Sequence, residues 1–567
     1  MPTRLFLYGI IMTKSKKSKS IVRSGLLLTL MTFASRIMGL VREMTKASFL
    51  GTGLFADSFS VAFMIPNLFR KLFAENAISV AFIPTFKDYI SKEDTSENKK
   101  TTQEFLNATL TLVSFLTACV VTLGIILAPF IIPIFCKAPA EGIEGYAAKL
   151  DYYLLELNET TILTRIMFPY LFLISIAAFF QGVLNTCGIF APSGFTPVMF
   201  NGIVVLSTYI LAPHTSNPAR AMAIGTILGG TVQAIFQWPF VHKTGWKTGI
   251  TSIKKAFTNP GTRKVMALLA PTIVGIAAYQ LNDTVSTALA KHVGPGIASS
   301  LQYSIRLQEL ILGIFAVSIG TVILPDLSGF ANKKDWTQFN SMLLQAIKIM
   351  TLISIPITAY SLITGRELIS LLYKRNQFDE DSVIMTLGIF RFHIAGLLFI
   401  ALNRIMAPAF YAQKKPKLPT IAGLINFASN ILFVFILSRP MGGNGIALAL
   451  SIASCLNTIF LFIFMKKMES IEVGRLARGT LLYALKMLIF SVIASVPTYY
   501  LHKFLVKTFE GHGNLIAYGA PVVISAIAFA AIGVLELVIT RDEIVQSITA
   551  RWLSSPKGVS KPNTNEK

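Results

Sequence analysis

Apolar runs of roughly twenty residues recur along the chain, and short gaps rich in lysine and arginine separate them. A helix needs about 20 apolar residues to cross the hydrocarbon core of a bilayer. Backbone groups find no hydrogen-bond partner in hydrocarbon, so helices are the expected spanning form. The pattern predicts membrane-spanning helices at residues 22–42, 57–86, 104–135, 161–187, 193–213, 218–241, 264–291, 298–328, 342–373, 384–411, 418–438, 443–465, 477–502 and 514–540.

Composition supports an all-α polytopic membrane protein with about 14 transmembrane helices. Of the 567 residues, 53% are hydrophobic and 14% are charged, whereas soluble domains carry about 25% charged residues. The net charge of +23 does not indicate a nucleic-acid partner, because the cations collect in the gaps between apolar runs. The four cysteines form no CxxC motif and are interpreted as buried thiols. Translation starts at either Met1 or Met12, and the sequence leaves both open.

The distribution of lysine and arginine predicts the topology. Cations are abundant in the segments 1–21, 242–264 and 414–417 and in the tail 541–567. The segment 137–160 has mixed charges and is assigned to the opposite side. Positive residues favour the cytoplasmic side of a membrane. We therefore expect 1–21 and 541–567 to be basic cytoplasmic segments.

A weak internal repeat suggests two halves. "NAISVAFIPTF" and "FAVSIGTVILPDL" place Pro84 and Pro325 in like positions, and two later stretches pair Pro197 with Pro419. Repeated halves with polar groups at their interface are typical of transporters. Coincidence among proline-bearing apolar runs is the alternative interpretation. The predicted domains are an N-lobe at 22–241, a C-lobe at 264–465 and an extra helix pair at 477–540.

Charged residues interrupt three of the apolar runs. Ser35 and Arg42 are seven residues apart and share one helical stripe, and Arg36 and Glu43 share the adjacent stripe. Pro66 predicts a kink in the second run. Polar residues at helical spacing follow it, and a further set lies in the eighth run. These two sets are Asn67, Arg70, Lys71 and Glu75, and Gln302, Arg306 and Glu309.

Two interpretations of these charges remain open. Internal ion pairs could join Arg36 to Glu43, Lys71 to Glu75 and Arg306 to Glu309, since lone charges are costly in a membrane. Pairing alone leaves a surplus, because five strong bases face three acids in these runs. The planar fork of arginine suits phosphate. A cationic cavity for a phosphate-bearing substrate is the functional interpretation.

The motifs "ASRIMGLVRE", "ADSFSVAFMIPNLFRKLFAENAISVAFIP" and "RIMAPAFYAQKKPKLPT" resemble those of the MurJ (MviN) lipid II flippases. That family belongs to the multidrug/oligosaccharidyl-lipid/polysaccharide exporter superfamily. The resemblance implies two six-helix lobes around a central cavity and a lipid-tail groove at 477–540. It also implies that lipid II, the undecaprenyl-diphosphate-linked peptidoglycan precursor, is flipped to the outer leaflet of the bacterial cytoplasmic (inner) membrane by alternating access.

The resemblance also assigns roles to individual residues. Many relatives carry an Asp-Arg pair in the eighth run, whereas Ile305 precedes Arg306 here, so one acidic partner is missing. The implied cavity arginines are Arg36, Arg42 and Arg306, and the further implied substrate-binding residues are Ser35, Asp57, Asn67, Arg70 and Glu309.

A sodium site is a further expectation. Asp283, in "YQLNDTVST", resembles the acidic residue of a sodium site in some relatives, and Asn426 and Asn430 would complete the set. A carboxylate with amide oxygens suits a hard cation. A hydrogen-bonded packing role for Asp283 is the alternative. We expect no cofactor, and coupling to sodium or to the membrane potential.

Other functions make different demands. A membrane glycosyltransferase or hydrolase would need paired carboxylates, metal ligands or an activated nucleophile, and the six histidines are scattered without an HExxH motif. A cation-coupled drug exporter of the same superfamily would prefer an acidic cavity. A flippase for another polyprenyl-linked glycan is the nearest alternative. The expected partners are lipid II, membrane lipids and other cell-wall synthesis proteins, and we expect a monomer.

Overall fold

The computed structural model describes residues 30–546 except 76–77, 93–94 and 143, without the side chains of 73–75, 79, 270–281, 283, 313–322 and 324. The predicted segment 1–21 and the tail beyond residue 546 lie outside the described residues. The described residues form helices joined by short turns. The helices are α1 (described over 30–50), α2 (Leu54–Phe69), α3 (Ile83–Ile90), α4 (Ser96–Ile131), α5 (Tyr146–Met167), α6 (Tyr170–Thr186), α7 (Ala191–Leu211), α8 (Pro218–Lys243), α9 (Ile253–Thr258), α10 (Pro260–Val293), α11 (Ile297–Lys333), α12 (Trp336–Tyr373), α13 (Glu380–Ala395), α14 (Leu397–Ala412), α15 (Lys417–Met441), α16 (Gly443–Met465), α17 (Val473–Thr508) and α18 (Asn514–Ile539).

The helix lengths confirm an all-α polytopic membrane protein. Within the described residues, nine helices are long and apolar enough to cross a membrane, and the count is ten if α13 and α14 form one bent span. In this count α5 and α6 run together as a single helix of 41 residues. The predicted total of fourteen stays a prediction.

The helices group into two compact units. Within the described residues, the first comprises 30–310, 373–390 and 423–450, and the second comprises 311–372, 391–422 and 451–546. In the first unit, α2, α5, α6, α7 and α8 pack around a buried apolar cluster that includes Phe59, Tyr170 and Phe200. The predicted lobes at 22–241 and 264–465 and the groove at 477–540 stay predictions.

The second predicted span is broken, as Pro66 indicates. Proline lacks the N–H that an interior helical position would donate, so it weakens the helix around it. Wide, π-type turns follow α2 at Arg70–Glu75 and Ile78–Phe82, before α3 begins. Such turns are frequent at functional sites. The break lies in the stretch that carries the polar set of the second apolar run.

The segment 137–160, which was predicted to be a gap between spans, is partly helical, because α5 begins at Tyr146 and continues to Met167. Glu156 and Glu159 are both buried in this helix. Glu156 pairs with Lys291, and Glu159 pairs with Arg220 at 2.5 Å. Because their charges are paired, these carboxylates do not end the helix.

The predicted span 384–411 bends by 43° between α13 and α14. The Ser451 hydroxyl donates to the Phe392 carbonyl oxygen at 2.6 Å, which competes with the helical bond that this carbonyl would accept. A Cβ atom at Gly396 would lie 2.4 Å from Ser451 Oγ, so the close approach requires glycine. A side chain inserted into the hydrogen-bond ladder is a common cause of a kink.

Helices α17 and α18 belong to the second unit. His502 of α17 lies 3.0 Å from Glu367 of α12 and 3.2 Å from the hydroxyl of Ser525 in α18. At the other end of the pair, Lys486 and Tyr483 both bind Asp542. Many apolar side chains on both helices are exposed, as expected of helices that face lipid.

Candidate functional site

A cavity of about 520 Å³ lies in the first unit. Its walls come from α1, α2 and the wide turn after it, α6, α7, α8, α10 and the first part of α11. The described charged lining has six cations and two carboxylates, so the cavity is net positive. These residues are Arg36, Arg42, Glu43, Lys46, Arg70, Lys71, Arg306 and Glu309.

The first wall is the polar face of α1. Arg42 donates to Glu43 at 2.8 Å, and its guanidinium lies 5.9 Å from the centre of the Phe200 ring. Arg42 is 15% exposed, so its fork is partly open to the cavity while Glu43 fixes one side of it. Ser35 and Arg36 line the cavity further along the same helix. The helical spacing read from the sequence accounts for this shared face.

The second wall follows the break in α2. Arg70 donates through Nε to the Asn67 side-chain oxygen at 2.9 Å, which orients the guanidinium. Arg70 and Lys71 both line the cavity at the start of the wide turn. The break in the helix therefore coincides with two adjacent cations of the site.

The third wall is the beginning of α11. Arg306 donates to Glu309 at 2.8 Å, and its Nε lies 3.7 Å from Glu43 Oε1. The Arg306 and Glu309 side chains are 43% and 45% exposed. An arginine with this exposure can bind an incoming anion without first being uncovered. The ion pair between Arg306 and Glu309 is one of the internal pairs that the sequence suggested. It lies in the lining of a net-positive cavity, so the two interpretations of these charges are compatible.

Seven of the eight predicted substrate-binding residues line the cavity, and Asp57 does not. Asp57 is fully buried and accepts hydrogen bonds at 2.8 Å from the backbone N–H groups of Gly296 and Ser299. Lys291 lies 3.3 Å from the same carboxylate. These contacts indicate that Asp57 anchors the amino-terminal end of α11. The seven are Ser35, Arg36, Arg42, Asn67, Arg70, Arg306 and Glu309.

Sequence reasoning missed Lys46 as a cavity residue. The predicted first span ended at residue 42, but α1 continues to residue 50. Lys46 lies four residues after Arg42 and therefore on the same side of the helix. Extending the helical spacing by one turn would have found it. The buried set of Asp57, Lys291 and Glu156 could not be found in this way, because its members are far apart in the sequence.

The predicted sodium ligands fall in two helices of the first unit. Asn430 donates to Asn282 Oδ1 and to Ser286 Oγ at 2.8 Å each. Among the described groups, the side-chain oxygens of Asn426 and Asn430 are buried and have no hydrogen-bond partner. Amide and hydroxyl oxygens suit a hard cation, so this donor set fits sodium. Asp283 lies in α10, and its side chain is outside the described part of the chain.

Comparison with known proteins identifies the family. Residues 46–516 match the family model described as "Lipid II flippase MurJ". The chain belongs to the lipid II flippase MurJ family. A relative in Treponema pallidum (strain Nichols), named probable lipid II flippase MurJ, is 46% identical over 530 residues, which cover 93% of this chain and 97% of the relative. The family resemblance drawn from the sequence motifs is confirmed, and the family is one of transporters.

Solved structures place this MurJ-family chain in a wider fold group. A structure titled "Lipid II flippase MurJ, inward closed conformation" matches with a TM-score of 0.71 at 23% identity, covering 92% of this chain and 100% of that chain. An inward-facing MATE family multidrug resistance transporter of the MOP superfamily matches with a TM-score of 0.61 at 14% identity, covering 80% of this chain and 99% of that chain. Both likenesses show that the chain shares the fold of these transporters.

Proposed function

We propose that this chain flips lipid II from the inner to the outer leaflet of the bacterial cytoplasmic membrane and so supplies peptidoglycan synthesis. The observation that carries the proposal is the net-positive lining of the cavity in the first unit, which includes several arginines. The chain's membership of the lipid II flippase family agrees with it. A cation-coupled drug exporter of the same superfamily would need the opposite sign of charge in its cavity.

The cavity residues have separate roles in this proposal. The guanidinium groups of Arg36, Arg42 and Arg306 bind the diphosphate, because their forks match phosphate oxygens in pairs. Asn67 orients Arg70 beside them. Ser35 supplies a neutral polar contact. Glu309 holds Arg306 towards the cavity until substrate arrives.

Transport by alternating access needs walls that move relative to one another. The wide turns after α2 interrupt regular hydrogen bonding beside Arg70, which makes this region a natural hinge. We infer that sodium, bound through Asp283, Asn426 and Asn430, or the membrane potential drives the cycle. The unpartnered amide oxygens of the two asparagines support the sodium alternative.

The proposal also covers the membrane topology, the groove for the lipid tail and the partners of the protein. Both termini lie in the cytoplasm, as the positive charge of 1–21 and 541–567 favours. Helices α17 and α18 provide the groove for the undecaprenyl tail, and their exposed apolar surfaces support this role. The protein acts as a monomer. Membrane lipids and other cell-wall synthesis proteins are its further partners.

Reconstitution tests the proposed function. Purified protein in liposomes should move lipid II between leaflets, and other polyprenyl-diphosphate glycans should compete less well. Equal transport of an unrelated polyprenyl-linked glycan would favour the broader flippase alternative. Transport of a cationic drug with no movement of lipid II would contradict the proposal.

A further inference from the structure

The carboxylate of Glu43 contacts three of the cavity cations, as a bound anion would. Its Oε1 accepts a hydrogen bond from Arg42 at 2.8 Å and lies 3.7 Å from Arg306 Nε. Its Oε2 lies 3.9 Å from Lys46 Nζ. One carboxylate is thus shared by three cations, and the Glu43 side chain is only 7% exposed. These are the electrostatic contacts that a phosphate group would make at the same cations.

Lys46 is fixed independently of Glu43. Its ammonium donates to Ser60 Oγ at 3.0 Å and lies 4.9 Å from the centre of the Tyr303 ring. The Phe59 ring centre lies 6.0 Å away on another side. An ammonium over aromatic faces is stabilised by the ring quadrupole. With 5% of its side chain exposed, Lys46 stays in the wall when the cavity is filled.

The contact between Glu43 and Arg306 at 3.7 Å, like the contact between Glu43 and Lys46 at 3.9 Å, is an ion pair too long for a hydrogen bond. Arg306 is also the more exposed partner, and Glu309 holds it from the other side. An entering anion can therefore take Arg306 from Glu43 at little cost. The 2.8 Å bond to Arg42 is shorter and would be exchanged second.

We propose that Glu43 is an internal competitor for the substrate's diphosphate and that Lys46 is a positioning residue that retains Glu43 when the diphosphate takes Arg306 and Arg42. This inference rests on the proposed function, because it assumes that a diphosphate enters the cavity. A transported ligand must bind well enough to enter and weakly enough to leave. Glu43 limits the affinity of the cavity for the diphosphate, because its carboxylate competes for the same arginines. When the carboxylate binds the arginines again, it helps to release the headgroup on the outer side of the membrane.

A pair of substitutions separates this role from simple charge neutralisation. Glu43→Gln removes the competing charge and keeps the size of the side chain. It should tighten binding by about tenfold, since at least one charge-assisted bond no longer competes. The same variant should transport more slowly, because it lacks the carboxylate that displaces the diphosphate from the arginines during release. A purely structural Glu43 would give weaker binding and slower transport together.

Lys46→Met tests the positioning role. If Lys46 acts through Glu43, then Lys46→Met weakens binding in the wild-type chain, because a released Glu43 competes more strongly for the arginines. The same substitution should then have little effect in the Glu43→Gln background. If Lys46 contacts the diphosphate itself, the loss is equal in both backgrounds, which would overturn this part of the proposal. The comparison is a double-mutant cycle.

The experiment uses the full chain in detergent micelles with undecaprenyl diphosphate as the probe, followed by transport in liposomes. Glu472→Gln is the matched control, because Glu472 pairs with Arg475 on an exposed helix start in the second unit. Melting temperatures establish that each variant folds. Glu43→Asp, which keeps the charge but draws it back from the arginines, replaces Glu43→Gln if the latter is not recovered folded, and tighter binding is again expected.

The outcomes distinguish the inference from the proposed function. Wild-type binding with tighter binding by Glu43→Gln supports both. Wild-type binding with unchanged or weaker binding by Glu43→Gln overturns the competitor role alone. A wild-type protein that binds no undecaprenyl diphosphate overturns this inference, and a wild-type protein that also moves no lipid II in liposomes overturns the proposed function.

Discussion

Replacing Arg306 by alanine should abolish function while leaving the protein folded. The structure separates the two effects, because Arg306 and Glu309 are 43% and 45% exposed. An ion pair with this exposure contributes at most about 1 kcal/mol to stability. The 3.7 Å contact with Glu43 is too long for a hydrogen bond and adds little. We therefore expect near-normal amounts of inserted protein.

The loss of binding should be larger than the loss of stability. Each charge-assisted hydrogen bond from a guanidinium to phosphate is worth about 1.5–3 kcal/mol, which corresponds to a loss of affinity of roughly ten- to a hundredfold or more. Arg306→Lys keeps the charge but loses the fork, so it should recover only part of this affinity. The two variants together separate the contribution of charge from that of geometry.

The assay is complementation of cells depleted of their own flippase, with protein levels checked by blotting. Arg475→Ala is the matched control, since Arg475 and Glu472 form an exposed pair three residues apart, as Arg306 and Glu309 do, but outside the cavity. Arg306→Ala should fail to support growth, and Arg475→Ala should support it. Normal growth with Arg306→Ala would refute the diphosphate-binding role of this wall.

Other parts of the chain give further tests. Lys291→Ala should lower the melting temperature strongly, because removing one partner of a buried charged set costs about 3–5 kcal/mol. Lys264→Ala breaks an exposed pair and should cost less than about 1 kcal/mol. Equal melting temperatures for the two variants would contradict this. In a background without native cysteines, a cysteine at Lys254 should resist an impermeant thiol reagent in intact cells and one near Glu144 should react; the reverse pattern would invert the topology. Asp283→Asn should reduce a sodium-dependent change in transport, and an unchanged sodium response would leave Asp283 as a packing residue.

Much of the fold follows from local signals. The predicted spans 218–241, 443–465 and 514–540 agree closely with α8, α16 and α18. Helix α8 shows why, since Asn217 accepts a hydrogen bond from the Arg220 N–H at 3.1 Å and Pro218 follows it. Both residues favour a helix start. The bend between α13 and α14 was not predictable, because it depends on Ser451 in another helix.

The cavity was predictable where it depends on spacing within one helix. Ser35, Arg36 and Arg42 fall on one face because the helical period places them there. The first helix continues to residue 50, eight residues beyond the predicted end of the first span at residue 42. In the structure, Glu43 and Lys46 offset one another's charge, so the helix continues beyond them. Pairing between distant segments, as between Lys291 and Glu156, leaves no periodic signal in a single sequence.

The two groups of charged residues in the first unit differ in their balance, and this difference separates structure from function. Asp57 and Glu156 face Lys291, all three side chains are at most 9% exposed, and backbone N–H groups satisfy the remaining oxygens of Asp57. With two carboxylates and one ammonium, this set has a formal charge of only −1, and its contacts within the protein can hold helices together. Among the described lining residues, the cavity instead sets six cations against two carboxylates. Solvent or a mobile anion can neutralise such a surplus in a membrane protein, so the balance of charge, more than the presence of arginine, points to a ligand.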